Sequence, residues 1–68
     1  MTFEEVWSQV KGLPDMAMKQ VPKTLSDKTK KTLAHKSPED VATIVKAAIY
    51  EIDHGSIERL DTLVQRKL

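Results

Sequence analysis

Few side chains in this 68-residue chain carry reactive chemistry, and their spacing argues against most of it. There is no cysteine, which excludes thiolate nucleophiles, thiolate metal sites and disulfides. The two histidines, His35 and His54, fall in different predicted helices without a metal-ligand spacing. Asp53 and His54, with Glu51 and Glu58 nearby, have the donor types for a divalent cation. Gly55 and Ser56 interrupt that set, however, and a polar helix end explains it as well. Ser26, Ser37 and Ser56 each stand where a helix is expected to start. A capping role accounts for them, with no base or oxyanion site in view. No glycine-rich phosphate loop is present. The expectation is a protein that is not an enzyme and needs no cofactor or metal.

Charge and aromatic side chains carry the remaining possibilities. Eleven basic and ten acidic residues leave a net charge of +1, which predicts no partner by itself. Their order along the chain says more. Segment 19–36 holds six lysines and one acid, Asp27, for +5. Segment 37–61 sets six acids against Lys46 and Arg59, for −4. Helical spacing lines up Thr24, Lys28, Lys31 and His35, flanked by Lys23, Lys30 and Lys36. Such a surface neutralises phosphates in a salt-dependent way. These lysines are the candidate nucleic-acid contacts, provided that acidic side chains are not interleaved among them.

Sequence-specific DNA reading is not expected. Residues 29–49 have a loose helix–turn–helix outline, but the turn lacks glycine and the second helix opens with Glu39-Asp40, which phosphates repel. No arginine stands there for bidentate guanine contacts.

A protein-binding surface is the other candidate. On the predicted fourth helix Tyr50 points away from the apolar stripe, and Thr43, Ala47 and His54 share its side. An aromatic beside small residues suits a docking helix. The alternative is that Phe3 and Trp7 cover this face. Met16 and Met18, in a short segment between prolines, offer an adaptable thioether surface. Two residues apart on a helix, they point different ways, so one is expected inside and the other at least partly outside.

These residues need elements to position them. Thr2 with Glu5 forms a capping box, and Phe3, Val6, Trp7 and Val10 follow at helical spacing, predicting a helix over 2–11 that ends at Gly12. Pro14 opens a short helix that Pro22 should stop, pushing Val21 towards an extended backbone. Segment 23–36, with Ser26 as a cap and Leu25, Thr29 and Leu33 spaced by four, is polar and expected at the periphery. Ser37-Pro38-Glu39-Asp40 begins the clearest helix, with Val41, Ile44, Val45, Ala48, Ile49 and Ile52 as its stripe and Gly55 as its stop. Ser56 should cap the last helix, burying Ile57, Leu60, Leu63, Val64 and Leu68 after a tight Gly55-Ser56 turn.

The fold class read from this pattern is all-α: a compact bundle of four to five short helices packed around a central helix near residues 38–54, in a single domain covering 1–68. About twenty apolar residues supply the core, and a chain this short buries only about 60% of the surface its unfolded form exposes. No apolar run reaches the ~20 residues that cross a bilayer, and the acidic start is unlike a secretory leader. A soluble protein without membrane contact is expected, and the missing cysteines fit a cytoplasmic setting. The initial methionine points to a whole short gene product. An acyl-carrier-like domain has similar size and class, but its modifiable serine lies in Asp-Ser-Leu, against Gly55-Ser56-Ile57 here.

The functional expectation is a small, non-enzymatic helical module for protein–protein interaction, binding an unidentified protein or self-associating as a homodimer. The alternative is a non-specific nucleic-acid-binding protein that uses the lysine-rich segment 19–36.

Overall fold

Three of the helices described below start at a residue whose side chain caps them. The computed structural model describes residues 2–68, and five helices lie among them: α1 (Phe3–Trp7), α2 (Asp15–Thr24), α3 (Asp27–Leu33), α4 (Pro38–Asp53) and α5 (Leu60–Arg66). Thr2 and Glu5 close the capping box at α1, each side chain bonding the other's backbone N–H. Ser26 accepts from the Thr29 amide at α3, and Ser37 from the Asp40 amide at α4.

Four of the five elements depart from expectation. α1 stops at Trp7, well before Gly12, because two three-residue turns follow: Gln9 N–H donates to Val6 and Val10 N–H to Trp7. That tightening turns Val10 into the core.

α2 does not stop before Pro22; it runs through it to Thr24, with Val21 helical and buried. A proline at 22 removes the N–H that would bond the Met18 carbonyl four residues back. The Trp7 indole Nε1–H donates to that same carbonyl at 3.0 Å. The helix continues because a distant side chain supplies the missing donor.

α5 begins at Leu60, not Ser56, and its N-cap Arg59 makes no side-chain cap bond. The end of α4 accounts for this. Gly55 adopts a positive φ of 104°, its N–H bonds the Ile52 carbonyl, and the Ser56 N–H bonds the Glu51 carbonyl. This is a Schellman stop, and it uses the Ser56 backbone to finish α4. The expected tight turn is therefore a longer link. Ile57, expected in the core, sits in that link at 99% exposure, and Ile52 and Leu68 are also exposed.

The segment expected as one polar helix over 23–36 is divided. Lys23 and Thr24 end α2, α3 holds the middle, and residues 34–36 form a turn. Nor is α3 merely peripheral, since Thr29 and Leu33 on its inner face are fully buried.

The five helices form an all-α bundle. Its core consists of Phe3, Val6, Trp7 and Val10 from the α1 region, Val21, Leu25 and Leu33, four α4 residues (Val41, Ala42, Val45, Ala48), and Leu63 and Val64. Phe3 and Trp7 stack with ring centroids 5.6 Å apart, and the Lys30 ammonium lies 5.7 Å from the Phe3 ring centre. α4 is the longest element and packs on α1 and α5, while α5 also touches α2 and α3. No helix among the described residues is long and apolar enough to cross a membrane.

Candidate interaction face

α4 buries Val41, Ala42, Val45 and Ala48, which leaves the opposite side of the helix outside. Thr43, Ala47, Tyr50 and His54 are all exposed on it. Phe3 and Trp7 pack into the core instead. Tyr50 is 62% exposed but not loose. Its ring stacks on His54 with centroids 3.8 Å apart and planes 22° apart. His54 Nδ1 lies 2.8 Å from the Tyr50 carbonyl oxygen. A carbonyl only accepts, so Nδ1 carries the proton in that bond.

Beside Tyr50 runs a groove of about 250 Å³. Ile49, Lys46 and Asp53 form its α4 wall, and Leu13, Pro14 and Ala17 its far wall. Lys46 also lines a wider cleft of about 640 Å³ between α4 and the end of α1, with Lys11, Glu39 and Thr43. The two concavities meet where Lys46 passes Gly12, whose φ is +87°. A Cβ at Gly12 would collide with the Lys46 ammonium. The far wall was not legible in the sequence because it comes from the α1–α2 connection and the first turn of α2, and only folding brings these against α4.

The two methionines separate as their spacing requires. Met16 is 75% exposed on α2, and Met18 is half-buried against the core. Neither lines the Tyr50 groove.

None of the five candidate nucleic-acid lysines lines that groove. Lys23, Lys28 and Lys31 are exposed, whereas Lys30 and Lys36 are half-buried. Lys30, Lys31 and His35 line a concavity together with Phe3, Glu4 and Asp27, and Lys31, His35 and Lys36 line a second one with Thr32. Two carboxylates thus stand among the lysines.

A polar cluster that sequence reading missed joins α3 to α5. Asp61 Oδ1 accepts from the Ser26 amide at 3.0 Å and from the Thr29 hydroxyl at 2.7 Å. Gln65 Nε2 donates to Thr29 Oγ1 and to Asp61 Oδ2. Ser26 Oγ lies 3.0 Å from Thr29 Oγ1, so the buried hydroxyl has every hydrogen-bonding capacity filled. Burial alone would raise the Asp61 pKa. The bonds from Thr29 and Ser26, with the Arg59 charge, outweigh it and hold the carboxyl below its ordinary value. An ionised carboxylate tied in this way is a poor proton carrier and a good clamp. No three His, Cys, Asp or Glu side chains converge as metal ligands among the described residues.

Fold and face together define a small all-α bundle with a held aromatic at the lip of an apolar groove. No protein-family model, curated protein or solved structure matches the chain.

Proposed function

We propose that this chain is a non-enzymatic helical interaction module that docks protein on the outer face of α4. One observation carries the reading: Tyr50 is exposed, stacked on His54, and placed beside a groove walled by Leu13, Pro14, Ala17 and Ile49. An aromatic whose rotamer is already fixed loses little entropy on docking, which is what makes Tyr a frequent anchor. Thr43 and Ala47 on the same side are small enough for a partner backbone to approach. A cytoplasmic setting fits the cysteine-free composition.

Nucleic-acid binding through Lys23, Lys28, Lys30, Lys31 and Lys36 is the weaker reading. Glu4 and Asp27 line the same concavity as Lys30 and Lys31, and carboxylates there repel phosphates. Lys30 is also engaged over the Phe3 ring.

Selection of amphipathic helical peptides from a display library, counter-screened on Tyr50→Ala, tests the docking reading. The expected result is peptides that shift amide resonances of α4 and residues 12–17 and lose at least about tenfold in affinity on the variant. Failure to obtain any Tyr50-dependent peptide would overturn it. A titration with DNA or RNA whose shifts are confined to 23–36 and weaken steeply with salt would instead promote the nucleic-acid reading.

A further inference from the structure

We infer that the partner is a second copy of this chain, with the two α4 helices crossing antiparallel about a two-fold axis beside Tyr50. The inference rests on the docking reading above and adds the occupant. Charge along the groove is what selects it. Lys46 and Asp53 stand two helical turns apart on the same groove wall, with Ile49 and Tyr50 between them. In an antiparallel crossing centred on Ile49 and Tyr50, Lys46 of each copy faces Asp53 of the other. Both ion pairs form together, as a two-fold interface requires. A parallel crossing would set lysine against lysine and aspartate against aspartate.

Both charges are free to pair in this way. The ion pairs among the described residues are Arg66 with Glu58 and Lys67 with Glu51, and neither involves Lys46 or Asp53. The groove also suits the side chain that would enter it. At about 250 Å³ it has room for one aromatic ring, and Tyr50 stands at its lip in each copy. Ala47 lies beside Tyr50 on the exposed side and lets the helices approach. One helix crossing in a chain this small is at the low end of interface area, so the dimer is expected to be weak, in the micromolar range or above.

Sedimentation equilibrium of the whole chain, from about 10 μM to 1 mM, reads the association directly. The wild type is expected to dimerise across that range. Lys46→Glu and Asp53→Lys should each weaken dimerisation by at least about tenfold, because each places like charges opposite one another. An equimolar mixture of the two variants should then recover dimers. Across that heterodimer the two substituted positions face each other with opposite charges, and the native Lys46 of one copy faces the native Asp53 of the other. Both residues are exposed, and far-UV circular dichroism with Trp7 fluorescence checks that each variant stays folded.

A wild type that remains monomeric at the highest concentration overturns the inference. So do single variants that dimerise as well as wild type, and so does a mixture that gives no recovery. The two readings fail separately: Tyr50-dependent peptide binding by a monomeric chain would sink the homodimer and leave the interaction face standing.

Discussion

Pro22 and Trp7 are fifteen residues apart, yet they act as one unit. The proline leaves the Met18 carbonyl without a helical donor, and the indole N–H fills it at 3.0 Å in a partly buried setting. Removing the donor while keeping an aromatic ring should be costly only while the carbonyl still needs it. Trp7→Phe is expected to destabilise the fold by about 1–3 kcal/mol through the unsatisfied carbonyl, besides any loss of packing. Pro22→Ala restores the backbone N–H and should lower the cost of Trp7→Phe. A double-mutant cycle in urea measures the coupling, and additive effects would mean that the indole bond does not support the helix. Gly55 is the second residue where one atom matters. At φ +104° a side chain is strained, although nothing lies within 4 Å of where its Cβ would stand. Gly55→Ala should therefore cost about 1–2 kcal/mol from backbone conformation alone, readable as a lowered urea midpoint with an unchanged slope.

Between elements, the α3–α5 junction is held by polar groups as well as by apolar contact. Asp61 takes hydrogen bonds from the α3 cap Ser26 and from Thr29, and Gln65 one turn further along α5 reinforces both. Because the Asp61 pKa is lowered on folding, its contribution has a definite sign. The folded state binds fewer protons there than the unfolded chain. The stabilisation is complete above the unfolded carboxyl value of about 4 and is lost as pH falls through the lower folded value. Asp61→Asn is expected to reduce stability at neutral pH and to flatten this part of the acid limb, measured as urea midpoints between about pH 2 and 6. An acid limb unchanged by the substitution would show that the clamp contributes nothing. The same junction explains why a lysine-rich helix is not peripheral. Thr29 is only 1% exposed, because Asp61 and Gln65 satisfy a hydroxyl that would otherwise disfavour burial.

For the molecule as a whole, the apolar residues run from a closed core, through a half-buried shell, to a few left outside. Leu33 is completely enclosed, while Ile57 is almost fully exposed in the α4–α5 link. Leu33→Ala should cost about 2–5 kcal/mol, enough to unfold much of a domain this size. Ile57→Ser should change stability by no more than about 0.5 kcal/mol. Thermal melts of the two variants make the comparison, and a large loss at Ile57 would show that the link is packed in solution. If α4 pairs with a second copy, the wild-type melting temperature must also rise with protein concentration, because association stabilises only the folded state.

Local signals determined much of this protein without reference to the rest of the chain. Thr2 with Glu5, Ser26, and Ser37 with Pro38 fix three helix starts, since a cap satisfies donors within three residues of itself. The Val41–Ala48 stripe is equally local, as is the outward side that carries Thr43, Ala47, Tyr50 and His54, because both follow from the helical repeat. What tertiary structure decided lies where a distant group changes the local balance. Pro22 reads as a stop until Trp7 reaches the Met18 carbonyl. Ser56 reads as a cap until the Schellman stop of α4 takes its backbone. Thr29 reads as the polar member of the Leu25–Leu33 stripe, and only Asp61 arriving from α5 gives its hydroxyl a partner there. The groove beside Tyr50 belongs to this second kind, for its far wall comes from residues 12–17, and no periodicity in α4 could show that the α1–α2 connection and the start of α2 would lie against it.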